Sequence, residues 1–314
     1  MGHIESLRAI AALMVLCFHL LSFEGINGKL IANDSILEYS KFGAQGVELF
    51  YLISGFVIYF SLSKADFTLQ MYPKYLLKRF LRIFPPFWGV VLLICLIALI
   101  WKGIYPYSFE QIVQNATLTI DLFGTSDWLN PIFATLKVEF LFYLLIGFLA
   151  VFMRKSPYFY AVICFSALGS TYFFHTIDII HNIPFFLLGI ACSEIYQSKN
   201  KELNYSLIAA SLLLLGFIFP LEDLIVALLG VCFILWIKVH GKWIEWIGQF
   251  SYSLYLTHGL SIGLFLLFFK NEKYFNLNSW VAFLLAFIVA LGCAFLYYRI
   301  IEKKAIRWSK GVKY

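Results

Sequence analysis

Residues 7–19 read Leu7-Arg8-Ala9-Ile10-Ala11-Ala12-Leu13-Met14-Val15-Leu16-Cys17-Phe18-His19. The run is apolar except at its two ends, an arginine and a histidine eleven residues apart. On a helix, at about 100° per residue, eleven steps return to nearly the same face, and a rise of about 1.5 Å per residue separates the two by roughly 16 Å. Ionisable groups are costly in hydrocarbon, and those retained there usually face a cavity and carry function.

Comparable apolar runs recur along the whole chain. The 314 residues are 61% hydrophobic and 13% charged, with 34 phenylalanines. A soluble domain of this size has too little interior to hide that much apolar surface. The runs are continuous rather than alternating, which argues against a β-barrel. The expected class is an all-α, polytopic membrane protein of about ten transmembrane helices, forming a single integral-membrane domain over residues 1–314. The expected spans are 6–23, 43–61, 84–101, 131–152, 157–174, 183–197, 205–219, 223–238, 248–269 and 280–300. The sixth to eighth are short, which tilt or shielding within the bundle accommodates. Pro220, Glu222 and Asp223 predict a tight hairpin between the seventh and eighth.

The first run is read as a retained span, because it lacks a small-x-small cleavage site and carries His19. Cys17, Cys95, Cys164, Cys192, Cys232 and Cys293 all fall within spans and read as small buried residues, not a disulfide framework or metal site.

The net charge of +6 is a matter of topology. With a cytoplasmic N-terminus, inner segments carry 18 of the 24 lysines and arginines and outer segments carry Lys29, Lys41, Lys102, Lys270 and Lys273; Lys137 lies within a span. Both termini are therefore expected in the cytoplasm, with loops 24–42 and 102–130 outside. The basic excess gives no reason to invoke nucleic acid. Asn33-Asp34-Ser35 fits a glycosylation sequon, a pattern frequent by chance.

Five constellations carry possible chemistry. Arg8 with His19 is the first; its alternatives are a snorkelling topogenic arginine and a structural histidine. The second, Gly46-Val47-Glu48-Leu49-Phe50-Tyr51-Leu52-Ile53-Ser54-Gly55-Phe56, places Glu48 near the outer end of a span. The third, Thr135-Leu136-Lys137-Val138-Glu139-Phe140-Leu141-Phe142-Tyr143, places Glu139 about 12 Å into the fourth span. His19, Glu48 and Glu139 share a broadly similar depth, which suggests a polar cavity. Lys137 is a poor partner for Glu139, since residues two apart on a helix do not face each other.

In the fourth, Lys78-Arg79-Phe80-Leu81-Arg82-Ile83-Phe84-Pro85-Pro86, the two arginines stand at i and i+3 on one helix face, before a proline pair. They suit phosphate, whether of lipid headgroups or of a nucleotide-like cosubstrate. The fifth, Ser251-Tyr252-Ser253-Leu254-Tyr255-Leu256-Thr257-His258, places a second histidine in the ninth span. No metal-ligand spacing, phosphate loop, dinucleotide fingerprint or nucleophile elbow stands out.

Together these segments resemble the acyltransferase-3 family of membrane O-acyltransferases, in order and over nearly the full chain. The family's Arg-x10-His is matched by Arg8 and His19, and its G-V-[DE]-h-F-F-h-h-S-G-F by Gly46 to Phe56. Its R-x-x-R is matched by Arg79 and Arg82, its W-S-L-x-V-E-x-x-F-Y by Leu136, Val138, Glu139, Phe142 and Tyr143, and its S-Y-S-L-Y-L-x-H by Ser251 to His258. The chain departs at Ala134-Thr135, where the family often has Trp-Ser; Thr135 keeps the hydroxyl.

The resemblance implies a stand-alone acyltransferase that moves acetyl from cytoplasmic acetyl-CoA to a hydroxyl of a cell-envelope or exported glycan, or of a lipid-linked sugar. It implies a multi-pass protein of the cell membrane, in contact with its lipids. On this reading Arg8, Arg79 and Arg82 hold the CoA phosphates, and His19 is the general base or a transient acyl carrier. Glu139 or Glu48 orients the imidazole, and His258, Thr135 and Tyr255 face the acceptor. The competing reading is a proton-coupled transporter or flippase of a glycan or lipid, with the same buried acids and histidines as a relay.

Overall fold

Hydrocarbon supplies no partner for a backbone amide, so each apolar run satisfies its own amides as a helix. The computed structural model describes residues 2–22, 24–25, 28–29, 36, 38, 40–65, 67–102, 107–123, 127–269 and 278–313. Its principal helices are α1 (Gly2–Leu21), α2 (Gly46–Lys64), α3 (Tyr72–Lys102), α4 (Phe109–Thr117), α5 (Ile132–Met153), α6 (Pro157–Phe174), α7 (Ile183–Tyr196), α8 (Lys201–Ile218), α9 (Leu221–Leu235), α10 (Lys242–Gln249), α11 (Ser251–Phe269), α12 (Ser279–Tyr297) and α13 (Lys303–Gly311). The extended structure described is one pair of two-residue strands, β1 (Glu24–Gly25) and β2 (Gly28–Lys29), antiparallel with Glu24 opposite Lys29. The protein is an all-α membrane protein.

Among the described residues seven helices are long and apolar enough to cross a membrane. Helices occupy all ten expected spans, but the expected count of about ten is not reached by that measure. Helix α7 has 14 residues and α9 has 15, and α11 opens on the polar run Ser251–His258. The brevity of α7 has a physical basis. Every residue from Pro184 to Ile195 is buried, so the bundle covers it on all sides. The hairpin expected at Pro220 is present: α8 ends at Ile218 and α9 begins at Leu221. All six cysteines are free thiols.

Three boundaries differ from the sequence reading. The third span was expected to begin at residue 84, after the basic Arg79–Arg82 segment; instead one helix of 31 residues, α3, runs through that segment and the proline pair. Beside the proline pair, Tyr252 donates its hydroxyl to Ile83 O at 2.9 Å, and Tyr297 donates to Pro86 O, which ties α3 to α11 and α12 at this point. The last span does not end near residue 300, but passes through a π-turn at Tyr298–Glu302 into α13.

The loop expected at 102–130 is partly helical. Ser108 caps α4, accepting from Gln111 N at 3.0 Å, and buried Asn115 accepts from Leu129 N at 2.9 Å. The sequon at Asn33-Asp34-Ser35, together with Lys270 and Lys273, lies outside the described residues.

Helices α2 and α7 cross with their backbones in contact. A Cβ at Gly55 would lie 2.2 Å from Phe186 O, and one at Gly189 would lie 2.0 Å from Leu52 O. Small residues at a crossing permit this approach, and packing rather than hydrophobicity holds membrane helices together. The contact fixes the α2 face that carries Ser54 on the opposing wall of the site.

The two ends of the described chain share one end of the bundle. Gly2 abuts the Glu245 carboxyl and Gly248 abuts the Glu5 backbone, while Ser309 Oγ donates to Lys78 O at 2.9 Å.

Candidate active site

One cavity of about 110 Å³ opens among α1, α2, α3, α5 and α11. Six of the nine residues singled out from the sequence line it: Arg8, Arg79, Arg82, Glu139, Thr135 and Tyr255. Its wall on α2 runs from Val47 to Ile58. Eleven residues at the helical rise make that roughly 16 Å. The three arginines lie toward the end where the termini meet; Thr135 and Tyr255 close the other end.

The arginine end is basic and partly satisfied. Arg82 lies 3.5 Å from Glu302, whose carboxylate is fully buried. Glu302 Oε2 accepts from Ser253 N at 3.1 Å and from Ser253 Oγ at 2.6 Å, which ties the π-turn to the start of α11. Arg79 lies over the rings of Tyr75 and Tyr143, 5.4 and 5.9 Å from their centroids. Its Nε is buried without a partner among the described residues. Three guanidiniums with one ion-paired carboxylate fit an anionic group at this end, since the planar fork matches phosphate oxygens.

Glu139 sits between the two ends. Its Oε1 accepts from Ser54 Oγ at 2.6 Å and from the Tyr143 hydroxyl. The expected orientation of His19 by Glu139 is not a direct contact, because the hydrogen bonds of this carboxylate go to α2 and to its own helix. The expectation that Lys137 does not pair with Glu139 agrees with the geometry. Lys137 reaches the other way, to Asp178 at 2.8 Å and to Asp121.

At the far end, Thr135 Oγ1 donates to Ile132 O at 2.7 Å. Its single proton is thereby used, so in the Thr135–Tyr255 bond the tyrosine hydroxyl donates. Tyr51 donates to Thr135 O at 3.3 Å, and Phe50 lies edge-on to Tyr255 at 5.6 Å.

The other three expected residues do not line the cavity. Glu48 is half-buried, its Oε2 enclosed and unpartnered among the described residues, and a neighbouring acid is Asp223, which is hydrogen-bonded to Gln45. His19 and His258 form a pair of their own, with ring centroids 4.9 Å apart. The His258 ring is 6.0 Å from that of Tyr255, so the pair lies just beyond the Thr135–Tyr255 bond.

Sequence reasoning missed Glu302, Ser54 and Tyr143 as members of this site. Tyr143 stands at i+4 from Glu139, a spacing that does signal contact on a helix. Glu302 is the single acid among the basic residues that follow Arg299. Nothing in its local pattern distinguishes it from a solvated tail charge.

Residues 2–299 match the family model of acyltransferase-3, described as an acyltransferase domain. No curated protein and no solved structure matches the chain. The match covers both ends of the cavity and every residue of the histidine pair, and on it the chain belongs to the acyltransferase-3 family as a membrane acyltransferase.

Proposed function

We propose that this protein is an O-acetyltransferase of the cell membrane, with both termini cytoplasmic. It moves acetyl from cytoplasmic acetyl-CoA to a hydroxyl of a cell-envelope or exported glycan, or of a lipid-linked sugar. The observation that carries this reading is a cavity with three arginines at the end of the bundle shared by the termini and a hydroxyl pair next to two imidazoles at the other.

In this reading Arg8, Arg79 and Arg82 bind the CoA phosphates. The roughly 16 Å of cavity along α2 is comparable to the reach of the pantetheine arm. That length brings the thioester to the Thr135–Tyr255 end, beside His19 and His258. A sugar hydroxyl is a poor nucleophile at neutral pH, so its proton must leave as it attacks. His19 takes that proton as general base, or carries the acetyl itself. Glu139, held by Ser54 and Tyr143, places its carboxyl at the middle of the cavity. Glu48, off the cavity with Asp223, belongs to the surrounding shell.

Two measurements test the proposal. Acetyl-CoA should raise the thermal stability of the purified protein, and mass spectrometry of envelope glycans should show an acetyl mass lost on deletion of the gene. Unchanged glycans together with no stabilisation by acetyl-CoA would leave the transporter reading in its place.

A further inference from the structure

His258 is almost fully enclosed, at 1% exposure. Its Nδ1 lies 2.7 Å from Tyr255 O and 3.1 Å from Leu254 O. Carbonyl oxygens only accept, so Nδ1 carries the ring proton. In the neutral ring Nε2 is then a bare acceptor, and it is buried with no hydrogen-bond partner among the described residues. An unmatched buried acceptor is destabilising, and such a group in a native fold calls for an explanation.

Among the described residues the ring closest to that of His258 is His19, with centroids 4.9 Å apart and planes tilted by 35°. Two imidazoles joined by an in-plane N–H···N bond of about 2.9 Å have centroids about 5 Å apart. The centroid spacing is compatible with such a bond, which requires one His19 ring nitrogen to be turned toward His258 Nε2. His19 is half-buried, and its ring makes no hydrogen bond among the described residues, so turning it breaks none.

We propose that His258 is the positioning partner of His19: its Nε2 accepts a hydrogen bond from one His19 nitrogen, leaving the other His19 nitrogen as a bare base toward the acceptor. The backbone of α11 thus fixes the tautomer of His258, and His258 fixes that of His19. The arrangement rests on the acetyl-transfer reading above for its purpose, but not for its geometry. In the reaction the acceptor oxygen bonds to the acetyl carbon as the carbon–sulfur bond breaks. The hydroxyl proton passes to the free His19 nitrogen and from there to the departing thiolate. Both imidazoles end neutral, as they began. His258 touches no substrate and loses no proton; it sets which His19 nitrogen is available.

The test uses the full-length protein in nanodiscs. Three variants are compared with wild type: His258→Phe removes the acceptor and keeps the ring volume, His258→Gln keeps a polar atom near the Nε2 position, and His258→Asn keeps one only near Nδ1. Transfer of radiolabelled acetyl from acetyl-CoA to an envelope fraction from cells lacking the gene should fall by about 100-fold or more for Phe and Asn, the scale of a general base put out of register. Gln should stay within about tenfold, and the acetyl-CoA affinity of all three should remain within about twofold. Ring-15N histidine spectra, with the His19 signals assigned by loss in His19→Asn, should show one His19 tautomer in wild type and Gln, and a mixture in Phe.

Robust transfer by His258→Phe with unchanged His19 signals would overturn the pairing. Equal losses in all three variants with weakened acetyl-CoA binding would also overturn it, as a plain packing role. A wild type that transfers no acetyl while its His19 tautomer still depends on His258 would sink the acetyltransferase reading and keep the pair.

Discussion

The Tyr255 hydroxyl donates to Thr135 Oγ1 across the closed end of the cavity, with the arginines on one side of this bond and the His19–His258 pair on the other. It is the one direct side-chain tie described between α5 and α11 at this level. It also gives a role to the position where the chain departs from the family's usual Trp-Ser pattern: the hydroxyl of Thr135 is in use, and Phe50 and Tyr51 fill the space around it.

Because the two hydroxyls serve one bond, their losses should not add. Tyr255→Phe and Thr135→Val should each lower stability by about 1 kcal/mol, and the double variant should cost little more than the worse single. Thr135→Ser should be near wild type. Thermal unfolding of the four proteins in one detergent reads the cycle, and full additivity would mean the bond contributes nothing.

Removal of a donor contact should appear in binding rather than in turnover. Arg82→Ala should raise the acetyl-CoA KM by about tenfold or more, from the loss of charge-assisted hydrogen bonds worth about 1.5–3 kcal/mol. Glu302→Ala should be worse for folding, since it leaves Arg82 and the Ser253 donors unmatched in a buried setting, at a cost of about 3 kcal/mol. Glu302→Ser offers no relief, because its side chain is too short to reach Arg82. The measurements are donor titrations and thermal unfolding; an Arg82→Ala protein with wild-type donor KM would leave Arg82 a lipid contact.

His19→Ala should abolish acetyl transfer while expression, insertion and acetyl-CoA binding stay near wild type. The cavity is lined without His19, so the donor site keeps its walls when the imidazole is removed. Near-normal turnover by the purified variant would exclude both the general-base and the acyl-histidine routes.

The α2–α7 crossing has no room for a side chain. Gly189→Ala should destabilise the protein by a few kcal/mol, at or above the usual cost of overpacking, because the methyl meets backbone rather than a movable side chain. Gly263→Ala, where a Cβ meets nothing within 4 Å, is the matched control. Size-exclusion profiles after heating should separate the two, and equal survival would mean the helices slide apart at little cost.

Reporter fusions at Tyr314 and Ser108 should report opposite sides of the membrane, with Tyr314 cytoplasmic. The 18-to-5 basic asymmetry and the meeting of both chain ends at one end of the bundle point the same way. Fusions reporting the same side would require an odd number of crossings between α4 and the C-terminus to be revised.

By itself the sequence determined the helical membrane class, the places of the helices, the hairpin at Pro220 and most of the cavity's polar lining. These follow from run length, from the cost of ionisable groups in hydrocarbon and from fixed helical spacing, all local properties of the chain. Tertiary structure alone decided the partners. Glu139 turned to Ser54 and Tyr143 rather than to His19, Lys137 to Asp121 and Asp178, and Arg82 to a glutamate 220 positions away in the chain. The spacing of residues along one helix sets which face each occupies and how deep it lies. Which helix stands opposite that face depends on how closely backbones approach, as at Gly55 and Gly189, and on where prolines and π-turns redirect the axis. These long-range choices brought His258 beside His19.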